Sequence, residues 1–170
     1  MKNLKITMIS FGIAALLTGF TSCTEDERTI PMDDTGTAAT YRLTSVNVPT
    51  TPDLNGDLVG SANLMTETAC YNDSFLRLNP NHTWRLQYNY ALASGGAIEC
   101  QDIITTGTWS RAENTITLGS FNDNNILYTI SDSGTITRAI TNSVYPGNNA
   151  AGGIAPQTGD VTLVYTRDAE

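Results

Sequence analysis

The run Thr83-Trp84-Arg85-Leu86-Gln87-Tyr88-Asn89-Tyr90 alternates strictly, with Trp84, Leu86, Tyr88 and Tyr90 on one face and Arg85, Gln87 and Asn89 on the other. A period of two is the pattern of a half-buried strand and does not fit the 3.6-residue repeat of a helix. Residues 74–79 make a second strand-like run, and Asn79-Pro80-Asn81-His82 between the two are turn formers, so the pair is expected to form a hairpin. Cys70 and Cys100 flank this hairpin at a separation of 30 residues. A disulfide between them would clip its open ends, and closing a loop of that length is worth roughly 3–4 kcal/mol in the chain-entropy account.

The same period recurs along the chain. Residues 40–48 read as a first strand with Tyr41, Leu43 and Ser45 inward, followed by a long loop at 49–62 and a short helical turn at 63–67. After Gly95-Gly96, further strands are expected at 105–110, carrying Gly107 and Trp109 on one face, and at 115–119 and 126–130, separated by turns at 111–114 and 121–125. Residues 135–141 place Ile136, Arg138 and Ile140 on one face, and 160–167 place Val161, Leu163 and Tyr165 together, after a Gly- and Asn-rich loop at 146–159. About eight short strands with short turns, and no helix long enough to cover a sheet, predict an all-β, antiparallel up-and-down meander closed into a barrel, because closure removes exposed strand edges. Its span is 39–168.

The remaining segments are read as processing and tethering elements. Lys2 and Lys5 precede an apolar run from Ile6 to Phe20, the layout of a secretory signal peptide, and a run of about 15 residues is shorter than the roughly 20 that span a bilayer. Thr21-Ser22-Cys23 resembles the lipobox of bacterial lipoproteins, with Phe20 where leucine is usual. The resemblance implies a signal peptide over 1–22, lipidation of Cys23, and a flexible acidic tether over 23–38. Three acyl chains exceed what stable attachment needs, so the chain is expected to be lipid-anchored at the outer membrane. Glu25-Asp26-Glu27 is similar to the surface-export signal of some Gram-negative lipoproteins. It favours display at the cell surface, with the periplasmic face as the alternative.

The cysteine count agrees with this partition: of three, one takes lipid and two remain to pair in an oxidising compartment. Charge narrows the partners. Without Lys2 and Lys5 the chain carries seven arginines against 17 acidic residues, and such a surface repels nucleic-acid backbones and anionic headgroups.

Tyr41-Arg42-Leu43-Thr44-Ser45, Asn63-Leu64 ahead of Cys70, Thr83-Trp84, Gly107-Thr108-Trp109, Ile116-Thr117-Leu118 and Leu163-Val164-Tyr165 fall in the order seen in the lipocalin-like domains of secreted bacterial lipoproteins, which the chain resembles. The resemblance implies an eight-stranded barrel and says little about its role. An eight-stranded barrel either is filled by its own side chains or holds one small ligand. Tyr88, Tyr90, Trp109 and Tyr128 are the candidates to line a pocket for a small apolar ligand, having apolar faces and polar tips. The alternative is a filled barrel serving as a surface interaction or structural module through the loops at 49–62 and 146–159.

Metal and catalytic readings are weaker. Asp53, Asn55 and Asp57 alternate as calcium ligands do, but an EF-hand loop starting at Asp53 would have glycine and glutamate where Leu58 and Leu64 stand, and Asx turns account for the three residues. The single histidine, His82, belongs to no zinc spacing and has no evident catalytic partner, so neither an enzyme nor a cofactor is expected. Cys23→Ala is predicted to leave unprocessed precursor and to abolish incorporation of labelled fatty acid; equal labelling of the variant contradicts the anchor.

Overall fold

The computed structural model describes residues 36–119 and 125–169. The expected signal peptide, Cys23, the acidic cluster and residues 121–124 of the predicted turn lie outside them. The described chain is a closed antiparallel barrel in which each strand pairs with its sequence neighbour and the last with the first: β1 (Thr40–Asn47), β2 (Phe75–Leu78), β3 (Thr83–Ser94), β4 (Ala97–Ala112), β5 (Thr115–Gly119), β6 (Ile126–Ile130), β7 (Ile136–Asn148) and β8 (Ile154–Arg167). A four-residue helix, α1 (Leu64–Glu67), and a 3-10 turn at Ala69–Tyr71 lie between β1 and β2.

Alternation fills the interior as the pattern requires. Tyr41, Leu43, Leu76, Leu78, Trp84, Leu86, Trp109, Ile116, Leu118, Tyr128, Ile136, Leu163 and Tyr165 are all buried. One inward position cannot carry a side chain: a Cβ on Gly107 would lie 2.0 Å from the Gly119 carbonyl oxygen and 2.8 Å from Nε1 of Trp84, which itself donates to that carbonyl at 3.0 Å.

In β1 the inward residue after Leu43 is Val46 and not Ser45. The ladder to β8 steps from Leu43↔Tyr165 to Ser45↔Val164, so Thr44 is an extra residue. Such a bulge reverses the parity of everything after it, and Val46 is buried while Ser45 is half-buried.

Strand lengths differ, and that shapes the molecule. β5 and β6 have five residues each, whereas β3, β4, β7 and β8 have 12 to 16. Two hairpins therefore continue past the closed ring as arms. β3 and β4 pair without interruption from Thr83↔Thr108 to Ser94↔Ala97, and β7 pairs with β8 as far as Asn148↔Ile154. The connection expected as a loop at 146–159 is thus mostly strand, with its turn confined to 149–153. Residues 97–104, expected to lie outside any strand, are likewise the first half of β4. The base of the barrel holds the turns 79–82, 113–114 and 131–135 and both ends of the described chain; the arms rise from the other end.

The base is tied down by backbone carbonyls and two arginines. Thr37 is fully buried, its carbonyl accepts from the Tyr41 hydroxyl at 2.7 Å, and its hydroxyl accepts from Arg111. Arg167 donates to the Gly36 carbonyl at 2.9 Å. Residues 36–38, expected to be tether, are therefore part of the folded domain.

β2 is only four residues long and pairs with β1 over Thr40–Arg42, which leaves a gap in the wall between the upper parts of β1 and β3. The insertion at 61–74 fills it. Val46 N donates to Asn63 Oδ1, Leu43 N to the Ser74 carbonyl, and Asn89 N to Ser74 Oγ, at 2.9–3.0 Å. The Cys70–Cys100 disulfide fastens this insert to the arm. Cys100 is not in a connection beyond the hairpin; it stands within β4 opposite Ala91, whose outward-pointing side chain is buried. Cys100→Ser should lower stability by roughly 3–4 kcal/mol, read by denaturant unfolding, and thiol titration of the denatured mature domain should find neither cysteine free. Two free thiols contradict the pairing.

Candidate functional site

Above the base, the inner faces of the two arms meet residues that the barrel does not fully cover. On β3, Tyr88 and Tyr90 continue the inward parity of Trp84 and Leu86 but are only partly buried. Their rings stack at 5.6 Å with 12° between planes. Ile103, the register partner of Tyr88, is 45% exposed. Tyr71 from the wall insert approaches Tyr88, ring centroids 6.5 Å apart.

The opposite arm supplies an arginine. On β7, Ile136, Arg138 and Ile140 stand opposite Tyr165, Leu163 and Val161, all of which are buried and inward. Arg138 therefore points into the barrel. Its Cζ lies 5.9 Å from the ring centroid of Tyr128, and the Tyr128 and Tyr165 rings meet edge to face at 6.0 Å. Both hydroxyls are buried, and neither makes a well-aligned hydrogen bond among the described residues although they lie close to one another and to Arg138. The only ion pair among the described residues, Arg42 with Asp168, is on the exterior.

Burial sets the protonation of this cluster. It pushes the Tyr71 hydroxyl up to about 12, with a backbone hydrogen bond at Ala91 opposing. It raises Tyr88, Tyr128 and Tyr165 too, helped at Tyr88 and Tyr165 by neighbouring tyrosines and opposed in all three by the Arg138 charge. At neutral pH these tyrosines are protonated and able to donate.

Of the residues expected to line a pocket, Tyr88, Tyr90 and Tyr128 are brought to one interior. Trp109 stands apart at the base, where its Nε1 donates to the Asn79 carbonyl at 2.9 Å and its ring lies 5.0 Å from that of His82. Tyr71, Ile103, Arg138 and Tyr165 join the cluster without having been singled out. For Arg138 the signal was readable: an arginine between two isoleucines on the apolar face of a strand.

The Asp53-Asn55-Asp57 loop is held by its own backbone. Asp53 carboxylate oxygens accept from Gly56 N and Leu58 N at 2.7 and 2.9 Å, Asn55 Oδ1 from Asp57 N at 2.9 Å, and Asp57 Oδ1 from Val59 N at 2.8 Å. The Asn55 and Asp57 bonds, each to the residue two positions on, are Asx turns, and Asp53 closes the loop around them from three and five positions away. The loop is secured to the β7–β8 arm by two hydrogen bonds between Asp53 and Asn148, and to α1 by Leu54 N donating to the buried Glu67 carboxylate at 3.0 Å. A depression of about 420 Å³ lies on the outer wall beside the disulfide. Asn72, Asp73, Gln87, Asn89, Gln101 and Asp102 line it, a surface suited to water rather than to an apolar molecule.

No protein-family model matches the chain, and no curated protein matches it.

Tyrosine titration tests the cluster. A hydroxyl whose folded pKa exceeds its unfolded value of about 10 contributes stability that is complete below pH 10 and is lost as pH rises through the folded value. Stability should therefore fall from pH 10 to 12, by about 2 kcal/mol from Tyr71 alone, and the buried fraction of tyrosinate absorbance should appear together with unfolding. Full ionisation near pH 10 with the fold intact contradicts the burial. Tyr165→Phe should be neutral or stabilising by up to about 1–3 kcal/mol, since it removes a buried hydroxyl without a partner; a loss of that size contradicts the orphan assignment.

Proposed function

We propose that the chain is a lipid-anchored, lipocalin-like cell-envelope protein that holds a small apolar ligand between the arms of its barrel and carries out no catalysis. The observation supporting this reading is the half-exposed inner face of the β3–β4 arm: Tyr88, Tyr90 and Ile103 present contiguous apolar surface directly above a sealed core. Residues that point into a barrel and yet remain open to solvent are the ordinary lining of a ligand site at a barrel mouth.

A second reading is supported by one feature. Leu58 and Val59 are 92% and 69% exposed at the tip of the loop that the Asx turns hold in shape. An ordered, protruding apolar tip suits contact with a protein partner outside the cell. That is the surface interaction module, with the contact residues on this loop.

The two readings separate on one titration. The mature domain should bind the neutral dye Nile red with enhanced fluorescence, long-chain alcohols should displace it, and Ile103→Asp should weaken it at least tenfold with little change in melting temperature. Leu58→Asp should leave dye binding unchanged. Absence of dye binding, or binding insensitive to Ile103→Asp, overturns the ligand reading in favour of the interaction module.

A further inference from the structure

β4 is the longest strand of the barrel and β5 one of the shorter ones, so most of β4 has a neighbour on one side only. β5 pairs with β4 over Thr108–Ala112, whereas β3 pairs with it from Thr108 back to Ala97 without a register shift. The direction of the main chain follows from Trp109, whose N–H donates to the His82 carbonyl on the β3 side at 2.8 Å. Successive residues of a strand turn their N–H and C=O groups to opposite sides. Residues 98, 100, 102, 104 and 106 therefore aim theirs away from β3, where no strand among the described residues meets them. An open edge of this length is a template for another strand. A second open edge, on β7 beyond its pairing with Thr129 and Ile130 of β6, is blunted. Its ladder to β8 shifts between Ile140 and Ser143, Asn142 has a φ of 51°, and Pro146 and Gly147 follow. Residues 98–106 of β4 contain no proline, glycine, lysine or bulge.

We infer that the β4 edge at 98–106 takes up an extended, basic segment of another protein as an added strand, with a lysine or arginine opposite Asp102 and an apolar residue two positions away opposite Ile104. Charge argues for this partner. Glu99 and Asp102 are the only charged residues in the stretch, and neither is paired with a cation among the described residues. In a chain of net charge −8 they oppose pairing with a second copy or with any acidic strand and favour a basic one. The side chains show where the cation goes. Asp102 and Ile104 stand opposite Asn89 and Gln87 on the outer face, where the depression of about 420 Å³ is lined by Asn72, Asp73, Gln87, Asn89, Gln101 and Asp102. Two carboxylates and four amides with no cation among them suit an ammonium or guanidinium, whose donors each need an acceptor. Ile104, 52% exposed on this face, offers apolar contact to the next outward side chain. In strand addition the main-chain hydrogen bonds supply affinity and the alternate side chains supply selectivity. This surface is separate from the inner face of the arm and from the Leu58–Val59 tip, and it rests on neither.

Fluorescence anisotropy with labelled nine-residue peptides tests this. The probe alternates valine and threonine, with lysine in place of the central valine. One control carries glutamate at the centre, and another is N-methylated at the lysine and its two nearest valines. The lysine peptide should bind the purified protein at least tenfold more tightly than the glutamate peptide, and the N-methylated peptide should not bind. Asp102→Asn should reduce the preference for lysine. Thr106→Pro removes one edge N–H without touching the ladder to β3, and it should weaken the lysine peptide at least tenfold at an unchanged melting temperature. If Thr106→Pro folds poorly, Asp102→Lys, a change on the exposed outer face, should invert the preference. Equal affinity for the lysine and glutamate peptides, binding that survives N-methylation, or no binding of any peptide overturns the inference. Sedimentation showing a concentration-dependent dimer that Thr106→Pro abolishes would put a second copy at this edge and overturn it as well.

Discussion

The ladder between β1 and β8 is the contact on which the rest of the structure depends. Six register pairs from Tyr41↔Arg167 to Asn47↔Thr162 join the first strand to the last, and without them a meander would expose two long edges. Closure also fixes what is inside. Because Tyr41, Leu43, Leu163 and Tyr165 meet across this seam and are all buried, the seam and the core specify one another. The Thr44 bulge within it lets Val46 replace Ser45 as the inward residue, so a strand with an imperfect sequence pattern still presents a continuous apolar face.

A closed ring of unequal strands cannot be equally closed along its length. The short β2, β5 and β6 complete the wall only near the base, and the long hairpins rise above it as arms. The upper gap beside β2 is repaired by the insert at 61–74 and the disulfide, which ties that insert to β4. What stays uncovered is the inner face of the β3–β4 arm. The proposed ligand surface is thus a consequence of strand length.

Much of the fold was legible because a barrel wall has one dry face and one wet face, and a period of two records that contrast. It was clear at 83–90, 115–119 and 126–130, and the Cys70–Cys100 pair was legible from the positions of the two cysteines on either side of the hairpin. The signal failed where the contrast is absent. Residues 97–104 alternate Ile98, Cys100 and Ile104 with Ala97, Glu99 and Ile103, so neither face is uniformly polar, as befits an arm wetted on both sides. The outer part of the β7–β8 arm pairs Pro146 with Pro156 and Gly147 with Ala155, residues that read as loop in any linear pattern. In the candidate site, Tyr88, Tyr90 and Tyr128 were visible as inward aromatics. Trp109 carried the same signal, yet its position near the 79–82 turn gives its indole a structural partner, and sequence alone does not distinguish the two ends of a strand. Tyr71 was hidden because a 3-10 turn has no period to read.

The central claim is that the space between the arms is occupied by a small molecule in the protein's own setting. Native mass spectrometry of the domain, purified from the cells in which it is made and held under non-denaturing conditions, addresses that claim most directly. The account predicts a bound mass of a few hundred daltons that is released on denaturation, is extractable as an amphiphile, and is absent from protein carrying Ile103→Asp. A spectrum containing only the bare protein mass, with unsubstituted and Ile103→Asp domains indistinguishable, would contradict it.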